Sequence, residues 1–217
     1  MNRMTLPLFV VLPFCPWVEE VNAQSTWVDF SNRSGSWISG DPALTTSDLE
    51  EKDLWASDLD KDGDPDVIIV RKTPFSTPGQ QVNVLLMNQS GVLTERNDLI
   101  PGFWIPDDSR DVITVDVDRD GWEDIVVCNT FGDDPRLFLN QGVDAGGVFL
   151  GFLEDPGWFS PPFAVGPKFC AVAAGDVNQD GFPDLFFSDY DNTLEDALLI
   201  NDGSGRFVNE TTSILMT

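Results

Sequence analysis

The chain contains no histidine, the side chain best suited to general-base work near neutral pH. Ser/His and Cys/His pairs are therefore excluded, and with them the nucleophilic chemistry they support. Basic residues are scarce as well, 12 against 37 acidic ones, which leaves a formal charge of −25. So acidic a chain repels nucleic-acid phosphates and anionic lipid, and neither is expected as a partner. Long hydrophobic runs are missing: the apolar stretch from Leu6 to Trp17 is too short to span a bilayer comfortably, and nothing later approaches the required length. No segment shows sustained helical periodicity. Cysteine is limited to Cys15, Cys128 and Cys170.

What is present begins with an export pattern. Met1-Asn2-Arg3-Met4, the apolar centre and Val21-Asn22-Ala23 before Gln24 read as a signal peptide over 1–23. This predicts a secreted or cell-surface protein without a membrane anchor. Cys15 would leave with the signal. Cys128 and Cys170 remain, either as a disulfide or as buried thiols.

The acids are not spread evenly. Asp58-Leu59-Asp60-Lys61-Asp62-Gly63-Asp64-Pro65-Asp66 recurs as Asp116-Val117-Asp118-Arg119-Asp120-Gly121-Trp122-Glu123-Asp124 and as Asp176-Val177-Asn178-Gln179-Asp180-Gly181-Phe182-Pro183-Asp184. The starts, 58, 116 and 176, lie 58 and 60 residues apart, a period that marks a solenoid or propeller unit. Each copy runs into a β-forming segment: Val67-Ile68-Ile69-Val70, Ile125-Val126-Val127-Cys128 and Leu185-Phe186-Phe187. A further strand ends at Asn88, Asn140 and Asn201, and a turn then leads to a last one, clearest at Arg206-Phe207-Val208. With the strand entering each copy, such as Val112-Ile113-Thr114-Val115, the count is four antiparallel strands per unit, which is a propeller blade. The expected fold is all-β, with about three blades. The expected division is an N-terminal strand and connector over 24–52, then three repeats within 53–217, at about 53–100, 111–153 and 168–211.

In an extended loop alternate residues point the same way, so oxygens at the first, third and fifth positions converge on one point. Gly at the sixth position permits the turn, the seventh residue adds a backbone carbonyl, and the ninth closes the shell. The predicted metal residues are Asp58, Asp60, Asp62, Asp64 and Asp66; Asp116, Asp118, Asp120, Trp122 and Asp124; and Asp176, Asn178, Asp180, Phe182 and Asp184. An all-oxygen set favours Ca²⁺ over Zn²⁺ or copper, and a shell dominated by protein atoms favours it over Mg²⁺. About three ions are expected, one per loop. An EF-hand is excluded, because its twelfth-position Glu is replaced by Ile69, Val127 and Phe187.

These loops, with the N-x-G-x-G-x-F ending at Asn201, Gly203, Gly205 and Phe207, make the chain resemble the FG-GAP/VCBS repeat family, which includes the integrin α-subunit head. Trp27-Val28-Asp29-Phe30-Ser31, followed by Gly35, looks like the same ending of a preceding unit. The Phe-Gly and Gly-Ala-Pro cage is not regularly present, so the VCBS-like form is closer. The resemblance implies a calcium-stabilised, commonly extracellular propeller used in adhesion or ligand binding, with a protein or glycan as ligand. The alternatives are part of a polysaccharide-degrading propeller, where Glu95, Glu123, Glu154 and Glu195 would be the glutamates to test, or a fragment of a longer propeller. Taking residues 1–23 from 217 leaves 194, slightly over three periods, whereas closed propellers typically use about four to eight blades. An open arc that needs further blades or self-association is expected. The connector aromatics Phe103, Trp104, Trp158, Phe159 and Phe163 either wedge between blades or form a stacking surface.

Overall fold

The β-rich run after each Asp-rich loop becomes the second strand of a separate antiparallel sheet. The computed structural model of the chain describes residues 38–39, 51–73, 78–163, 166–191 and 195–211, all within the unit Ser34–Thr217. The expected signal peptide, Cys15 and the Trp27–Ser31 segment with Gly35 lie outside the described residues.

Blade 1 comprises β2 (Glu51–Ser57), β3 (Asp66–Arg71), β4 (Val84–Gln89) and β5 (Val92–Glu95). Blade 2 comprises β6 (Ser109–Val115), β7 (Asp124–Asn129), β8 (Arg136–Asn140) and β9 (Phe152–Glu154). Blade 3 comprises β11 (Phe169–Gly175), β12 (Asp184–Asp189), β13 (Ala197–Asn201) and β14 (Phe207–Asn209). Within each blade the four strands pair consecutively and antiparallel, which is the all-β, propeller-blade architecture. Two sheets exceed four strands. β1 (Ile38–Ser39) pairs in parallel with β5, and β10 (Phe159–Ser160) pairs in parallel with β14. These connector segments cover outer edges that would otherwise present unpaired backbone groups.

Alternation along β7 shows how the blades stack. Ile125 and Val127 enter a core shared with Ile68, Val70 and Leu85 of blade 1, while Val126 and Cys128 enter one shared with Leu185, Phe187 and Leu199 of blade 3. A strand whose two faces are covered by two neighbours is buried at every position, and β7 is. β3 and β12 each mix buried with half-buried positions. The connector aromatics divide: Phe103 is buried edge-on to Phe138 and Trp158 edge-on to Phe207, whereas Trp104 is 56% exposed. Phe163 packs on Phe159 and Phe169. Wedging therefore accounts for most of them, and stacking on solvent remains open to Trp104 alone of the five. Cys128 and Cys170 are free thiols, the latter donating to the Ser188 carbonyl at 3.4 Å.

The first strand of each blade carries a bulge at the same place, between Glu51 and Asp53, Ser109 and Asp111, and Phe169 and Ala171. The Asp after the bulge reaches the next blade: Asp53 Oδ2 accepts from Val112 N at 3.4 Å and Asp111 Oδ2 from Val172 N at 2.7 Å. Burial, with the Asp53 carboxylate beside it, pushes Asp111 up to about 6. A raised carboxyl pKa means that the folded state is penalised for the charge as pH rises through about 6, and that the penalty vanishes below the unfolded value near 4. Asn at this position would donate to Asp53 and still accept from Val172, giving up the bond that Asp111 Oδ1 accepts from Val112 N at 3.0 Å, an N–H that Asp53 Oδ2 also accepts from. In saturating calcium, Asp111→Asn should raise the melting temperature at pH 7 by about 2–4 °C, on the order of 1 kcal/mol after allowing for solvent screening. That gain should shrink between pH 7 and pH 5; a gain independent of pH in paired thermal melts would contradict the assignment.

Candidate metal centre

Each Asp-rich loop joins the first strand of a blade to the second, and one set of backbone bonds shapes all three. The sixth-position Gly63, Gly121 and Gly181 N–H groups donate to Oδ2 of the first residue, Asp58, Asp116 and Asp176, at 3.1, 2.9 and 2.9 Å. The seventh-position N–H groups of Asp64, Trp122 and Phe182 donate to Oδ1 of Asp62, Asp120 and Asp180 at 2.9, 2.8 and 2.8 Å. The fifth-position N–H groups donate to Oδ1 of Asp60, Asp118 and Asn178. The three glycines have φ of +97°, +92° and +94°, a conformation that a side chain would strain.

The ninth residue ties the loop to its blade. Oδ2 of Asp66, Asp124 and Asp184 accepts from the N–H of Leu59, Val117 and Val177 at 2.9 Å in each case. Oδ1 accepts from the N–H of Asn88, Asn140 and Asn201 at 2.7, 2.8 and 2.9 Å. Asn140 and Asn201 end the third strands of their blades and Asn88 stands one residue before the end of its own, so their position in the repeat has a structural reason. Each carboxylate oxygen keeps a lone pair for a cation.

Carboxylate oxygens of Asp58, Asp60 and Asp66 all lie within 4.8 Å of one another, as do those of Asp116, Asp118 and Asp120. Asp62 and Asp124, predicted with them, fall outside these closest groups and serve the loop backbone as described. Among the described residues the third loop forms no such group of three acids; Asn178 replaces one of them and donates Nδ2 to Asp180 Oδ2 at 2.8 Å. The electrostatics follow. Burial pushes Asp66 up to about 6 and Asp124 up to about 7, with Asp60 and Asp62, or Asp118 and Asp120, adding repulsion. Burial also raises Asp60 and Asp118.

A hard divalent cation fits this donor set. Every donor is oxygen, the like charges converge, and the buried Asp116 Oδ1 accepts no hydrogen bond, which is the state of an oxygen reserved for another partner. These metal-capable groups include none of Glu95, Glu123, Glu154 and Glu195. Glu154 instead pairs with Arg136 at 2.7 Å, and Glu123 accepts from Ser57 and Thr114.

Some residues at the site carry no metal-ligand signal. Asn140 Nδ2 donates to the Leu59 carbonyl at 2.9 Å and Asn201 Nδ2 to the Val117 carbonyl at 2.8 Å, each gripping the loop of the preceding blade. Lys61 and Arg119 also cross between loops. The only trace of them in the sequence is a basic fourth position followed, one repeat later, by an aromatic seventh position.

A family model described as FG-GAP-like repeat matches residues 58–127 and again residues 116–187. Integrin alpha-6 from Homo sapiens is 33% identical over 82 residues, which covers 35% of this chain and 7% of that relative. The chain thus spans a small part of the length of the curated relative that it matches. Among the described residues no helix is long and apolar enough to cross a membrane.

Proposed function

Because the chain belongs to the FG-GAP-like repeat family, we propose that it is a calcium-stabilised, non-enzymatic binding module of propeller type, acting outside the cell on a protein or glycan ligand. The observation that carries this reading is the loop geometry repeated three times, with carboxylates that converge in the first two loops and the unpartnered Asp116 Oδ1. The side chains of Asp58, Asp60, Asp62 and Asp66 would hold one ion with the Asp64 carbonyl, and Asp116, Asp118, Asp120 and Asp124 a second with the Trp122 carbonyl. Asp176, Asn178, Asp180 and Asp184 would hold a third with the Phe182 carbonyl. The ion supplies charge neutralisation, cross-linking the loop that joins a blade's first two strands. The domain division goes with this reading: an export signal at 1–23, a strand and connector at 24–52, and three repeats in 53–217. Extracellular placement rests on that signal.

Calorimetric titration of the metal-free chain should give about three calcium ions per chain. The third site should be weakest, on the order of tenfold below the others, because Asn178 supplies no charge. Asn178→Asp should close that gap. No uptake of calcium would remove the reading, and a third loop that binds most tightly would refute the ranking by charge. A screen on polysaccharides should find binding without release of reducing ends if the ligand is a glycan.

A further inference from the structure

The fourth residue of each loop contributes no metal ligand, yet Lys61, Arg119 and Gln179 all adopt left-handed backbone, with φ of +60°, +60° and +62°. That conformation is uncommon for residues other than glycine. In the first two loops the side chain spans to the next blade. The Lys61 ammonium donates to the Gly121 carbonyl and lies 4.2 Å from the centroid of the Trp122 ring. The Arg119 guanidinium carbon lies 5.2 Å from the centroid of the Phe182 ring, and a Cβ on Gly181 would stand 3.0 Å from Arg119 Nη1. Both aromatic residues occupy the seventh position of the receiving loop.

The receiving loop reaches back through its blade. Asn140 holds the Leu59 carbonyl of the first loop, and Asn201 holds the Val117 carbonyl of the second. Leu59 and Val117 are consequently 1% and 0% exposed, whereas the equivalent Val177 is 57% exposed. Gln179 stands where the third loop would need a cation.

We propose that Lys61 and Arg119 are positioning residues that couple neighbouring loops, so that ordering one loop around calcium raises the affinity of the next. The proposal rests on the reading of these loops as calcium sites. Lys61 lies between Asp60 and Asp62, so a cation that gathers those two carboxylates fixes the backbone that presents the ammonium. The ammonium in turn holds Gly121 and the ring of Trp122, whose N–H groups donate to Asp116 and Asp120. The second site then binds with part of its ordering entropy already removed, and by linkage the effect is mutual. Arg119 repeats the link from the second loop to the third, with a ring contact alone.

The test uses the full chain with its third loop disabled by Asp176→Ala and Asp180→Ala. Calorimetry measures the affinity of the first loop with the second intact, and again with Asp118→Ala and Asp120→Ala. Disabling the second loop should weaken the first by about tenfold, a typical coupling. With Lys61→Met the same comparison should change the affinity by less than about twofold, Trp122→Leu should reduce the dependence to an intermediate value because the bond to the Gly121 carbonyl stays, and Lys61→Arg should retain the dependence. A first loop indifferent to the second in the otherwise native background overturns the coupling while leaving calcium binding intact. So does a tenfold dependence that survives both Lys61→Met and Trp122→Leu. Failure of every loop to take up calcium overturns the calcium reading and the coupling together.

Discussion

Excess EGTA should lower the melting temperature of the calcium-loaded chain by on the order of 10–30 °C. A ligand that binds only the folded state contributes about 2.7 kcal/mol per site at a hundredfold excess over Kd, so two or three sites contribute about 5–8 kcal/mol. For a chain of this length each kcal/mol moves the midpoint by roughly 2–4 °C. Repulsion acts in the same direction: without the ion, the three acids of each of the first two loops face one another within 4.8 Å. The midpoint should return when calcium is restored in excess over the chelator. Superimposable melting curves with and without EGTA would leave the loops as solvated acidic turns.

Arg136→Met should destabilise the chain by about 3–5 kcal/mol, the usual cost of removing one partner from a buried ion pair. Arg136 Nη1 meets Asp107 Oδ2 at 2.9 Å, its Nε meets Glu154 at 2.7 Å, and its Nη2 donates to the Gly102 carbonyl. Asp107 is buried and also accepts from Asn83 and Ser109, which join blade 1 to blade 2. Burial already lifts its carboxyl above the ordinary range with Arg136 in place. Without the guanidinium the carboxyl rises further, so the folded state takes up a proton more readily than the unfolded one. The loss should therefore be greatest above pH 7 and smaller near pH 5. Asp107→Asn combined with Arg136→Met should recover part of it, because the buried Asp107 charge is then gone and only the part-exposed Glu154 is left without its guanidinium. A shift of less than about 2 °C in the thermal midpoint would show that the pair contributes no more than an exposed one.

Asp107 and Arg136 are absent from any reading of the chain by repeats, and the reason is physical. The repeat is visible because its chemistry is local: alternating oxygens, a glycine at the turn and a β-branched run act over nine to twelve consecutive residues, in three copies. The polar cluster under blades 1 and 2 is assembled from Asn83, Asp107, Ser109, Asn129 and Arg136. Those residues follow no shared spacing and occur in one copy. The short parallel strands β1 and β10 escape for a related reason, since two-residue segments carry no periodicity.

The amino-acid sequence by itself determined the three loops, the strand that follows each, the asparagine at or next to the end of the third strand and the all-β class. Each of these follows from the chemistry of neighbouring residues. It also determined the strongly acidic net charge. Tertiary structure alone decided what each loop touches. Leu59, Val117 and Val177 hold the same place in the repeat, yet the first two are buried and the third is exposed, because only the first two lie beneath a following blade among the described residues. Lys61 meets a ring 61 positions away and Asn140 a carbonyl 81 positions away. Contacts at such separations depend on the stacking of blades and leave no local pattern in the chain, since a lysine in an acidic turn reads the same whether it faces water or the next loop.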